Sequence, residues 1–175
     1  MSRKRVPAGA TGPKWLSDEQ QRAWLAYIRI QLRLSYEMNR QLQAESNLSL
    51  ADYDVLVALS GAREGRMQVT ALAAQIGWER SRLSHHARRM SRRGLVDCEL
   101  SAADRRATEV SLTEQGWRAI DEAAPGHVDL VRRLFFGGLP KTLLAPLAEA
   151  LEGIYDNILK EGSLPPPDIG SSNGR

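Results

Sequence analysis

A chain of 175 residues, 42% hydrophobic and 26% charged, has room for one domain of ordinary size and the composition of a globular one. Disorder throughout is excluded, and the single cysteine, Cys98, excludes an internal disulfide and fits a reducing compartment. The net charge of +3 is unevenly spread: Arg80, Arg82, Arg88, Arg89, Arg92 and Arg93 lie between Glu79 and Asp97 with no acid among them, so that stretch carries +6 and the remainder −3.

Residues 1–16 read as a disordered basic tail without the apolar segment of a secretory signal, and no run approaches the roughly 18 apolar residues of a membrane span. A cytoplasmic protein with no membrane partner is expected. Ser17-Asp18-Glu19-Gln20 is a capping box that predicts a helix running to about Ser46. Its apolar residues, Trp24, Leu25, Tyr27, Ile28, Ile30, Leu32, Leu34, Tyr36 and Met38, cover more than one stripe, so this helix needs partners on two sides. Ser49-Leu50-Ala51-Asp52 starts a second helix, which Gly61 stops. The segment MQVTALAAQIGWERSRLSHHARRMSRRG divides at Gly77 into a short and a longer helix, with Ala73 small enough for close approach and Gly77 free to take a left-handed turn. Together these favour a helix-turn-helix.

After Gly94 the period becomes two. Val96, Cys98 and Leu100, then Val110 and Leu112, predict a two-stranded hairpin with the polar tip SAADRRAT. Thr113 caps a further helix containing Trp117 and Ile120, which Pro125 is expected to break or kink before Val128, Leu130, Val131, Leu134 and Phe135. Gly137-Gly138 ends that segment, and Pro140 starts a last helix with the stripe Leu144, Leu147, Leu151, Ile154 and Ile158. Residues 162–175 read as a second disordered tail.

Placed on a helix, residues 81–93 turn Leu83, Ala87 and Met90 inward. The opposite face gathers Ser81, Arg82, His85, Arg88, Arg89 and Arg92, flanked by Ser84, His86 and Arg93. Arginine forks suit guanine edges and phosphates, and Ser and His hydrogen-bond either, so these are the residue types of a helix in a DNA major groove. A solvated basic helix end is the plainer reading. The hairpin tip adds Asp104, Arg105 and Arg106, where an arginine can enter a minor groove and the carboxylate can hold it in place.

The helix-turn-helix, the recognition helix ending RRGLV and the wing DRRATEVSLTEQG resemble the multiple antibiotic resistance regulator (MarR) family over residues 17–160. The resemblance implies a mainly α fold: a winged helix-turn-helix with a two-stranded β wing, and N- and C-terminal helices forming a dimerisation region. It divides the chain into a dimerisation helix (17–48), a DNA-binding region (49–112) and dimerisation helices (113–161). It further implies a homodimer on double-stranded DNA at a pseudo-palindromic operator, usually repressing nearby genes. Asp104 and Arg106 match the wing's D-x-R, whereas Arg105 beside them departs from the pattern and leaves the groove-entering arginine open. The family commonly holds small aromatic or phenolic ligands in a crevice between dimer helices and winged domain. Trp24, Tyr27, Arg29, Tyr36 and Tyr53 are candidates for such a pocket, although aromatics at this spacing also suit a core or dimer interface.

Other chemistry finds less support. His85 and His86 point about 100° apart on a helix, with only His127 and Cys98 to complete a set, so no metal site is expected. Cys98 has the phase of a small buried hydrophobe. No catalytic site or cofactor is expected, because an enzyme built on a winged helix needs a nucleotide-binding domain that this chain has no G-x-G-x-x-G motif to supply. The alternative function is an architectural DNA-binding protein without ligand response.

Overall fold

The computed structural model describes residues 15–101 and 107–167. The element order is α1 (Asp18–Ser46), α2 (Leu50–Ser60), a 3₁₀ turn (Arg63–Gly65), β1 (Arg66–Gln68), α3 (Val69–Gln75), α4 (Arg80–Arg92), β2 (Val96–Leu100), β3 (Thr108–Leu112), α5 (Glu114–Val131) and α6 (Leu144–Glu161). A π-helical segment, Arg132–Phe136, continues α5, and a 3₁₀ turn, Lys141–Leu143, leads into α6. The mainly helical winged fold is as expected, with two differences.

The sheet has three strands, in the order β1-β3-β2 and antiparallel throughout. The hairpin of β2 and β3 was foreseen, but Arg66, Met67 and Gln68 also pair with Ser111, Val110 and Glu109. Nor does Pro125 break α5, which runs through it. Proline removes the N–H that would bond the carbonyl of Asp121, and both positions are exposed, so water can satisfy that oxygen.

The predicted capping box forms at Ser17, and the predicted N-cap Ser49 forms one as well. Ser17 Oγ accepts from the Gln20 N–H while Gln20 Oε1 accepts from the Ser17 N–H, and Ser49 and Asp52 do the same for α2. The hydrophobic core is built chiefly by the winged region, where Val55, Leu56, Leu59, Leu72, Leu83, Met90, Val96 and Val110 are buried. Leu42 is the one buried residue of α1 and α6 has none, although α1 packs along α5 and across α2. Leu100, in phase with Val96, is exposed at the end of β2, and Cys98 is half-buried. No single helix among the described residues is long and apolar enough to cross a membrane.

Candidate nucleic-acid interface

The two helices of the helix-turn-helix are ended by the same device. At the end of α3 the Trp78 N–H donates to Ala73 O (2.8 Å) and the Gly77 N–H to Ala74 O (3.3 Å), with Gly77 at φ +69. At the end of α4 the Leu95 N–H donates to Met90 O and the Gly94 N–H to Ser91 O, with Gly94 at φ +72. These paired bonds are Schellman motifs, which close the last carbonyls and turn the next side chain back onto the helix. The first one seats Trp78, which is buried.

Above this scaffold Leu83, Ala87 and Met90 are buried, and Ser81, Arg82, His85, Arg88, Arg89 and Arg92 are exposed, as the helical wheel predicts. Ser84 is half-buried and its hydroxyl donates to Arg80 O at 2.9 Å. His86 departs from the expected flank: it is 6% exposed and lies inside the molecule, so its ring is not on the face the others share. The tip residues Asp104, Arg105 and Arg106 lie outside the described residues. Arg88, Ser91 and Arg92 also line a groove between α4 and the hairpin, opposite Cys98, Glu99, Leu100 and Thr108. Burial raises the Cys98 thiol pKa; Asp97 adds to this and Arg88 partly offsets it, so the side chain is a protonated thiol.

A buried network lies under α4. The guanidinium of Arg82 sits 4.0 Å from the centre of the Trp78 ring, and His86 meets that indole edge-on at 5.3 Å. Arg89 Nη2 is 2.8 Å from His86 Nδ1. A guanidinium only donates, so Nδ1 is the acceptor and the ring proton sits on Nε2. Nε2 is 2.9 Å from Asp52 Oδ1, off the axis of a straight hydrogen bond, and so attracts the carboxylate mainly as a dipole. Arg93 donates to Asp52 Oδ2 at 2.7 Å and to the carbonyl of Asn47. Burial by itself raises the pKa of Asp52, but His86, the Ser49 N–H, Arg93 and the Ser49 hydroxyl outweigh it and hold the carboxyl well below the usual range. Asp52 and Arg93 were visible in sequence only as a helix cap and as one more arginine.

A second feature is a cavity of about 840 Å³ between α1, α2, the α3–α4 turn, α5 and the end of α6. Tyr53, Asp54 and Val57 of α2 line it with Ser35, Met38, His127 and Tyr155. Burial raises the pKa of Tyr53 and lowers that of His127, whose rings are 4.6 Å apart. Burial also raises the pKa of Asp54. Of the five candidate pocket residues only Tyr53 lines this cavity. Arg29 lines a separate groove with Arg33, Leu134 and Phe135, Trp24 and Tyr27 pair at 5.6 Å on the exposed side of α1, and Tyr36 is exposed. Among the described residues no group of three or more His, Cys, Asp or Glu side chains is placed to hold a metal ion.

Residues 46–107 match the family model described as the MarR family. No curated protein matches the chain. Among solved structures, Sco3205, a MarR family transcriptional regulator from Streptomyces coelicolor in complex with DNA, is 32% identical, with a TM-score of 0.81 over 90% of this chain and 99% of that one. AbsC, a MarR family transcriptional regulator from the same organism, is 34% identical, with a TM-score of 0.78 over 85% of this chain and 100% of that one. CouR from Rhodococcus jostii RHA1, bound to p-coumaroyl-CoA, is 26% identical, with a TM-score of 0.66 over 75% and 90%.

Proposed function

The chain belongs to the MarR family of transcriptional regulators, and on that footing we propose a cytoplasmic, homodimeric, non-enzymatic repressor that binds a pseudo-palindromic operator and is relieved by a small molecule. The observation that carries the DNA-binding part is the division of α4, whose buried face is apolar while its exposed face presents Arg82, His85, Arg88, Arg89 and Arg92. A basic helix face framed by a wing is the shape that enters a major groove, with the wing reaching the backbone or the adjacent minor groove. In this reading Ser81, Arg82, Ser84 and His85 face base edges, Arg88, Arg89 and Arg92 meet phosphates, and Asp104, Arg105 and Arg106 serve the wing. His86 acts from beneath.

Dimerisation is supported by the exposed apolar residues of α1, α5 and α6, among them Leu32, Val128, Leu151, Ile154 and Ile158. The regions 17–48 and 113–161 form the dimer, and 49–112 binds DNA. Ligand response is supported by the cavity, which touches α2, the α3–α4 turn and α6 at once, so a ligand there bears on both regions. The p-coumaroyl-CoA bound by CouR is an aromatic acyl ligand, and a small aromatic or phenolic molecule is the ligand class proposed here, with Tyr53 facing it.

Selection of bound duplexes from a random pool, repeated with a metabolite panel, tests the reading. Recovered sequences should carry two inverted half-sites centred roughly 10 base pairs apart or a multiple of that, and one metabolite class should release them. Weak preference without paired half-sites and without release supports the architectural alternative instead.

A further inference from the structure

Arg82 and Arg89 are seven residues apart on α4, about two turns, so they share one face of the helix. Both side chains are exposed, a state in which a long guanidinium arm ordinarily samples many rotamers. Here each is held by a buried ring. Arg82 lies 4.0 Å over the Trp78 indole, and Arg89 donates to His86 Nδ1 at 2.8 Å. The two rings meet each other at 5.3 Å, nearly perpendicular, and His86 in turn abuts Asp52. One continuous buried unit thus carries both arms.

We propose that Trp78 and His86 are positioning residues that orient Arg82 and Arg89 for DNA without touching it themselves, Trp78 thereby setting selectivity through the base-facing Arg82 and His86 raising affinity through the phosphate-facing Arg89. The geometry fits that role. Stacking on an indole uses the flat face of a guanidinium and leaves its N–H edge free, which is the edge a guanine or phosphate engages. Arg89 uses one terminal nitrogen on His86 and keeps its other donors. A guanidinium already oriented loses less rotamer freedom on binding, which corresponds to roughly three- to tenfold in affinity for each arm. The proposal rests on the assignment of the α4 face to DNA, and the experiment separates the two.

The duplex recovered by selection with the wild-type protein and a scrambled duplex of equal length are the probes. Each variant is titrated at a temperature where its unfolding curve shows it folded. Trp78→Leu should weaken binding to the selected duplex roughly three- to tenfold and leave the scrambled duplex unaffected, with Trp78→Phe between it and wild type. In an Arg82→Ala background the Trp78 substitutions should cost nothing further, whereas His86→Phe should weaken both duplexes alike and cost nothing further in an Arg89→Ala background. If Trp78→Leu fails to fold, Trp78→Phe carries the cycle. A loss that persists undiminished without the arginine overturns the proposal and leaves the DNA assignment standing. Arg82→Ala and Arg89→Ala proteins that bind the selected duplex as wild type does overturn both.

Discussion

Residues 49–112 and the platform of α1, α5 and α6 treat their apolar side chains in opposite ways. In the winged region Val55, Leu59, Leu72, Leu83 and Val96 are fully buried by the chain's own helices and sheet. On the platform Leu32 is 67% exposed and Ile154 58%, on helices of 29 and 18 residues. Burial of such side chains stabilises by about 1.5–3 kcal/mol each, which is what the proposed dimer would gain by covering this surface. The winged region is closed by one chain, whereas the proposed platform is closed by two.

The most severe test of that contrast lies on α6. Leu151→Asp together with Ile154→Asp should weaken self-association by about 4 kcal/mol, roughly a thousandfold, while circular dichroism shows the winged region intact. Sedimentation showing unchanged association would break the comparison. Next in size, Asp52→Ala strikes the closed region. Removing one partner of a buried ion pair costs about 3–5 kcal/mol, and the lower end applies because Arg93 is half-exposed and water screens it. Denaturant unfolding should read a loss of about 3 kcal/mol.

The same carboxyl makes the closed region acid-sensitive. Its folded-state pKa is depressed, so its stabilisation is complete above the ordinary aspartate value of about 4 and is lost as pH falls from there through the lower folded value. Wild type should lose stability through this window, and the Asp52→Ala protein should show a shallower fall. Smaller effects separate reading from holding within α4. Arg82→Ala should cost about 1–3 kcal/mol of DNA affinity at particular base pairs. Arg92→Ala should cost less on every sequence and lower the salt slope by about one unit; equal, sequence-blind losses for both would erase the distinction.

Much of the winged region was legible in the chain because its signals are local. Gly77 marks a turn that needs a positive φ, Gly94 the change to a period of two, the serines at 17 and 49 announce helix starts, and the inward face of α4 follows from spacing alone. What sequence could not show depends on partners far along the chain. Arg66-Met67-Gln68 has no alternation of its own and becomes a strand only by pairing with residues 109–111. His86 sits at the edge of the helical wheel, and it is buried because α2 brings Asp52 to it from 34 positions earlier. The aromatics of α1 carry the right chemistry for a pocket, yet the cavity lies toward Ser35 and Met38, where nothing in the sequence is conspicuous.

Arg93 ends α4 and reaches two points at once, the Asp52 carboxylate at the start of α2 and the Asn47 carbonyl where α1 ends. The C-terminal end of α4 is therefore tied to the end of the long platform helix through Arg93. In the proposed dimer this makes the distance between the two recognition helices a ruler with its marks cut in Arg93. One base pair inserted between half-sites moves them about 3.4 Å apart and also rotates them about the duplex axis, a displacement that a pinned helix has little freedom to follow. An Arg93→Ala protein should accept altered half-site spacings that the wild type rejects.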